Sequence, residues 1–272
     1  MPVRLVLLEE PEVEGQAPNG GFRDVFHGVF EACEIIHKLH GAERLLNGRF
    51  HGRLVIRVLT FHGMELHSLP YVVVDVETTG GSPSSSDRVT EVAAVHVNGP
   101  TVTLAFSSLV NPGRPIPWQI TRLTGISDDM VRGAPTFAEV AGELAGHLVG
   151  RVFVAHNARF DFGFLNAEFS RVAPAPLASL ITAQLCTVRL ARRLLAHLPR
   201  RNLDAVSDHY GVPIEGRHRA SGDAMATAHV LHGLLRDASH RGVHTWDDLA
   251  LLLGARTKRS TGNDVTTGAR LR

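Results

Sequence analysis

Val72-Val73-Val74-Asp75-Val76-Glu77-Thr78-Thr79-Gly80 is the stretch of the 272 residues that decides the fold. An unbroken β-branched run of this kind reads as a strand buried on both faces. Strand period puts Asp75 and Glu77 on one face. Two carboxylates there are costly unless something cationic sits between them. Gly80 and Gly81 end the strand and open a Gly/Ser/Pro loop over 80–87, so both acids stand at a strand end beside a loop. Taken alone, Asp-x-Glu also suits a solvated sheet edge.

Working outward, residues 88–97 and 101–110 flank Asn98-Gly99 and read as a β-hairpin. Thr136 and Glu139 form a capping box that opens a helix with Val140, Leu144 and Leu148 on one face. Residues 152–155 form another short buried strand, and a helix over 158–169 follows. Further helices are expected at 187–198, 203–210 and 221–240, and a short one at 246–253. Upstream, Phe22, Val25, Phe26, Val29, Phe30, Cys33, Ile36 and Leu39 recur at helical spacing, and residues 53–60 alternate like a strand. The division expected is an N-terminal extension over 1–69 whose aromatic stripe is core, an α/β layered domain over 70–240, and a basic, partly disordered tail over 241–272.

Composition narrows the class. With 28 basic and 27 acidic side chains the net charge is +1, so attraction to a polyanion must come from local patches. Lysine occurs only at Lys38 and Lys258, leaving arginine as the source of positive charge. Arginine gives planar, multidentate phosphate contacts where lysine gives a point charge. Cys33 and Cys186 exclude a disulfide framework and a four-cysteine zinc site. No apolar run approaches the ~20 residues that span a bilayer. The acidic turn after Leu8 does not suit a signal peptide. A soluble protein in a reducing, cytoplasmic setting, without membrane partners, is the expectation.

Two more clusters carry chemistry. Asp161 follows His156-Asn157-Ala158-Arg159-Phe160 in the first turn of a helix, where an acid also satisfies the dipole. His218-Arg219-Ala220-Ser221-Gly222-Asp223 places a histidine on a loop, Ser221 as the expected N-cap and Asp223 in the first turn. A loop histidine can exchange protons near neutral pH. Each cluster alone is commonplace. Together, four hard oxygen donors and one histidine at element ends suit Mg²⁺ or Mn²⁺ rather than zinc. Two ions ~3.5–4 Å apart would clamp the attacking and leaving oxygens of a phosphodiester.

In order, the three clusters resemble the motifs of the DEDDh 3′–5′ exonucleases, the family of the proofreading epsilon subunit of bacterial DNA polymerase III. Leu123-Thr124-Gly125-Ile126, Ala134-Pro135-Thr136-Phe137, and Asn202-Leu203-Asp204-Ala205-Val206 with Tyr210-Gly211-Val212 are lesser echoes, and the likeness covers about 70–238. The resemblance implies an RNase H-like fold with a mixed central sheet flanked by helices. It implies that Asp75, Glu77 and Asp223 bind one metal, that Asp75 is shared with a second held through water by Asp161, and that His218 deprotonates the attacking water. Thr78, Thr79 and the backbone at Gly80 would cradle the 3′-terminal nucleotide, His156, Asn157 and Phe160 would line the same cleft, and a nucleoside 5′-monophosphate would leave.

Replicative epsilon subunits carry a glutamine-led clamp-binding peptide after the catalytic domain. Here glutamine occurs only at Gln16, Gln119 and Gln184, so no such motif is found, which favours a stand-alone or accessory exonuclease. Arg217 and Arg219, beside the expected base, are read as phosphate contacts. Arg189, Arg192, Arg193, His197, Arg200 and Arg201 fit either a solvated helix face or a backbone-binding groove. Aromatics at 6% argue against a long stacking platform. The expected substrate is a single-stranded or frayed DNA 3′ end, in proofreading or repair, with association to a DNA polymerase left open. RNA trimming of the RNase T or oligoribonuclease kind is the alternative, and a non-catalytic nucleic-acid-binding module a third.

Overall fold

The computed structural model describes residue 61, residues 63–172 and 176–254, and the backbone of two short strands, β1 (Leu5–Leu7) and β2 (Ile56–Val58), paired antiparallel. The helix expected within 22–39 and the basic tail past 254 lie outside the described residues.

The chain then forms a meander of β3 (Pro70–Thr78), β4 (Val89–Asn98) and β5 (Thr101–Leu109). Two short helices follow, α1 (Trp118–Thr124) and α2 (Asp128–Arg132), then α3 (Phe137–Leu148), β6 (Val152–Ala155), α4 (Ala158–Val172), α5 (Leu177–Leu180) and β7 (Ala183–Cys186). Helices α6 (Thr187–Leu194), α7 (Leu203–Tyr210), α8 (Ala220–Ser239) and α9 (Trp246–Gly254) complete the described residues. The sheet order is β5-β4-β3-β6-β7, antiparallel from β5 to β3 and parallel from β3 to β7. This is the mixed central sheet expected.

Both faces of β3 are covered, as its β-branched run requires. Tyr71 and Val73 face a core built with α6, α7, α8 and α9. Val72, Val74 and Val76 face a second core built with α3, α4 and α5. The parity of the strand therefore assigns Asp75 and Glu77 to the side that α8 covers.

Several details depart from the sequence reading. Helix α6 stops at Leu194 rather than 198, because the carbonyls at its C-terminal end are taken by other chain segments. Arg201 donates to the oxygens of Leu195 (3.0 Å) and Ala196 (2.8 Å), and Arg241 to those of Arg193 (3.2 Å) and Leu194. Guanidinium groups at a helix C-terminus complement its dipole. Helix α8 begins one residue early, with Arg219 rather than Ser221 at the N-cap. Packing also extends past 70–240: Phe61, Leu66, Leu69 and Leu249 are buried in the first core, and Phe61 lies 5.4 Å from the Trp246 ring. Among the described residues no helix is long and apolar enough to cross a membrane.

Candidate active site

Strand β3 carries Asp75 and Glu77 to the sheet end where α4 and α8 begin. Asp161, in the first turn of α4, crosses under the strand, and its Oδ1 accepts the Val76 N–H at 3.2 Å. Asp223, in the first turn of α8, comes from the opposite side. Ligand atoms of Glu77, His218 and Asp223 all lie within 4.8 Å of one another. The structure thus brings together the four carboxylates and the histidine that three separate motifs supply.

Backbone geometry holds this end of the sheet tightly. His218 adopts φ 63° and Asn157 φ 85°, conformations that a side chain with Cβ rarely takes. Gly222 has no alternative, because a Cβ there would meet the Glu215 carbonyl oxygen at 1.8 Å. The start of α8 therefore lies directly on the 215–216 backbone, which fixes where Asp223 begins.

The electrostatics are those of crowded, buried acids. Burial, then Asp161, Glu77 and Asp223, raise Asp75 well above its ordinary value. Glu77 is pushed up to about 7 by burial, then by Asp223 and Glu91. Asp161 rises to about 8, chiefly through burial and against the hydrogen bonds it accepts. Burial also raises Asp223, opposed by Arg217. Asp223 is 4% exposed and its Oδ1 has no hydrogen-bond partner. A buried carboxylate oxygen left without a donor, among acids that resist ionisation, is the donor set a hard divalent cation completes.

The remaining expected residues fall around this cluster. Thr78 donates to the Gly80 carbonyl at 2.6 Å. Thr79 is closed onto Arg88, its N–H donating to the Arg88 oxygen (2.8 Å) while its Oγ1 accepts the Arg88 N–H (3.0 Å). Gly80 lies against the Asp87 carboxylate, which a Cβ would meet at 2.4 Å, and the loop winds about that carboxylate through Ser82 and Ser85. Asn157 is exposed, and Phe160 packs on Phe164 at 4.8 Å between centroids. His156 spends both ring nitrogens inside the protein, on Thr187 Oγ1 (2.9 Å) and the Arg201 carbonyl (3.0 Å). Burial holds its pKa down at about 4.

Arg217 and Arg219 are engaged by carboxylates of the chain itself. Arg219 forms a two-pronged pair with Glu91 (2.7 and 3.1 Å), which also accepts the Ala220 N–H at 2.9 Å. Arg217 donates Nε to Asp204 Oδ1 at 2.8 Å and Nη1 to Asp223 Oδ2. On the other flank Arg88 grips Glu168 of α4 with two hydrogen bonds (2.7 and 2.9 Å). Glu91 and Glu168 carry no signal in the sequence reading, and Asp204 enters it only within the 202–206 stretch, with no role attached. Period two would have put Glu91 on the α8 face of β4, but nothing local marks its partner.

A mixed sheet whose central strand delivers two acids, joined by one from each flanking helix and a histidine on the adjoining loop, is an RNase H-like fold with a carboxylate cluster at one sheet end. The chain belongs to the exonuclease family of the RNase T type, whose model matches residues 72–231. It is 42% identical over 196 residues to a Mycobacterium tuberculosis protein described as a bifunctional exonuclease/endonuclease, covering 68% of this chain and 30% of that protein. It is 36% identical over 179 residues to the PolC-type DNA polymerase III of Bacillus subtilis, covering 66% of this chain and 12% of that one. The chain thus spans less than a third of the length of these relatives. Among solved structures it is similar to Exonuclease X in complex with 5′ overhanging duplex DNA, with 26% identity, TM-score 0.51, and coverage of 68% of this chain and 99% of that one. Escherichia coli Exonuclease I in complex with a dT13 oligonucleotide shares the fold at 18% identity and TM-score 0.55, covering 64% of this chain and 42% of that one.

Proposed function

We propose that this domain is a 3′–5′ exonuclease that removes nucleoside 5′-monophosphates from single-stranded or frayed DNA ends, in proofreading or repair in the bacterial cytosol. The observation that carries this is the grouping of Glu77, His218 and Asp223 within 4.8 Å, with Asp75 and Asp161 electrostatically coupled to them and Asp223 Oδ1 buried and unpartnered. Asp75, Glu77 and Asp223 would hold one Mg²⁺ or Mn²⁺, and Asp161 would help hold a second. Bound divalent cations supply charge neutralisation at the attacking and leaving oxygens of the phosphodiester. His218 takes the proton of the attacking water. The water oxygen bonds to phosphorus as the P–O3′ bond breaks, a proton from solvent goes to the 3′ oxygen, and the shortened strand keeps a 3′-hydroxyl. Thr78, Thr79, Gly80, Asn157 and Phe160 surround the terminal nucleotide. DNA is favoured over RNA by the likeness to PolC-type DNA polymerase III and to Exonuclease X in complex with DNA.

The test is degradation of 5′-labelled DNA and RNA oligonucleotides of matched sequence with Mg²⁺, Mn²⁺ or chelator, beside Asp223→Ala. A metal-dependent ladder shrinking from the DNA 3′ end is expected, lost in Asp223→Ala with the fold retained by circular dichroism. A ladder on RNA alone would move the domain to RNA trimming. No ladder on either, or full turnover in Asp223→Ala, would refute the site.

A further inference from the structure

We infer that Arg217 is a resident counter-ion of the carboxylate cluster, which occupies a cation position, disarms His218, and must yield before a divalent cation binds. The inference rests on the metal-dependent nuclease reading above.

A count of positive charge around the cluster comes first. Asp75, Glu77, Asp161 and Asp223 crowd one another, and among the arginines of the described residues Arg217 and Arg219 offset them. Arg219 is spent on both oxygens of Glu91. Arg217 alone reaches into the cluster, donating Nη1 to Asp223 Oδ2. Asp223 is thus divided, with one buried oxygen held by a guanidinium and the other unpartnered. A divalent cation entering at the unpartnered Oδ1 stands next to the guanidinium on Oδ2, and repulsion between them favours release of Arg217, which holds no metal ligand of its own to offer.

The same Nη1 lies 3.3 Å from His218 Nδ1. A guanidinium only donates, so Nδ1 accepts and a neutral imidazole carries its proton on Nε2. In that state neither ring nitrogen is free to take a proton from water. One side chain therefore ties up one oxygen of an expected metal ligand and one nitrogen of the expected base together.

Asp204 gives Arg217 somewhere else to stay. It stands in the first turn of α7, outside the cluster, its side chain 52% exposed. Its Oδ1 accepts Arg217 Nε at 2.8 Å and its Oδ2 accepts Asn202 Nδ2 at 2.9 Å. A guanidinium released from Asp223 keeps this partner and turns Nη1 outward, where it can meet a substrate phosphate. The sequence reading of Arg217 as a phosphate contact and its engagement with Asp223 are then two positions of one side chain.

The test is Mn²⁺ binding by calorimetry and by electron paramagnetic resonance of free Mn²⁺, with thermal unfolding in chelator. Arg217→Gln is expected to tighten Mn²⁺ binding about tenfold, the scale of one charge-assisted hydrogen bond, while lowering the unfolding temperature of the chelated protein. Asp204→Asn is expected to weaken Mn²⁺ binding, and to have no effect in the Arg217→Gln background, because it acts only by steadying the arginine elsewhere. Should Arg217→Gln fail to fold, Arg217→Lys, which cannot bridge Asp204 and Asp223 at once, takes its place with the same sign expected. A wild-type protein that binds Mn²⁺ and degrades DNA, with affinity unchanged or weakened in Arg217→Gln, overturns the role of Arg217 alone. A wild-type protein that neither binds Mn²⁺ nor degrades nucleic acid overturns the nuclease reading as well.

Discussion

Glu77 at about 7 and Asp161 at about 8, against ordinary values of 4.5 and 3.8, are acids that the fold prefers protonated. The folded protein therefore binds more protons than the unfolded chain between those limits. In the absence of metal these two acids make stability fall as pH rises to about 8, and Asp75, raised in the same sense, adds to the fall. His156 acts in the opposite sense. Buried neutral with its pKa lowered to about 4, it gives stability that is present above its ordinary 6.5 and lost as pH falls toward 4. The interval from pH 6.5 to 8 isolates the carboxylates. Urea unfolding in chelator should show a midpoint that declines across it, and Asp161→Asn should flatten that decline. Saturating Mg²⁺ should flatten it too, because the cation then takes over the work of the protons. A wild-type midpoint constant from pH 6.5 to 8 in chelator would show that these acids ionise without cost.

At the scale of elements, two Arg–Glu pairs, each with a buried glutamate and a half-buried arginine, fix the helices that deliver Asp161 and Asp223. Glu168 lies seven residues after Asp161, on the same face of α4, and ties that helix to the start of β4 through Arg88 and the Val89 N–H (3.2 Å). Glu91 ties β4 to the start of α8 through Arg219 and the Ala220 N–H. Removing one member of a buried pair strands the other charge and costs about 3–5 kcal/mol. Because the Arg219 side chain is 39% exposed, Glu91→Ala should cost less, about 2–3 kcal/mol, and should also weaken Mg²⁺ binding by loosening the first turn of α8. Arg132→Ala removes a pair whose members are 75% and 80% exposed, and should change stability by less than about 0.5 kcal/mol. Equal losses in the two variants, read from urea midpoints, would refute the clamp. Sequence could not disclose these pairs, because their partners stand 80 and 128 residues apart with no periodic signal joining them. The acids of β3 were legible because period two acts within three residues. Short elements escaped for a related reason: β7 buries only Leu185, and five-residue α2 buries only Val131, so neither repeats a pattern long enough to read.

At the scale of the molecule, the five-stranded sheet and its two cores follow from the hydrophobic runs, whereas the edge of the folded unit does not. A boundary drawn at residue 70 marks the first strongly patterned strand, but a core closes where side chains pack and not where a pattern starts. Leu66 and Leu69 are 4% and 0% exposed, Phe61 packs on Trp246, and the Tyr71 hydroxyl donates to the Leu66 carbonyl at 2.6 Å inside the core. The backbone joins the same two segments, Leu66 N–H to the His244 oxygen (2.8 Å) and Trp246 N–H to the Met64 oxygen (3.1 Å). A chain beginning at residue 70 loses three apolar side chains worth about 1.5–3 kcal/mol each. It also removes the Met64 partner of the Trp246 N–H at the start of α9 and the Leu66 partner of the Tyr71 hydroxyl. Its melting temperature should lie on the order of 10 °C below that of a chain beginning at Phe61, given about 2–4 °C per kcal/mol at this size. The loss should appear as a shift in unfolding rather than in chemistry, because Asp75, Asp161 and Asp223 are set by β3, α4 and α8, which both chains retain. Equal melting temperatures would place residues 61–69 outside the cooperative unit. Equal melting with lost metal binding in the shorter chain would instead make them part of the site.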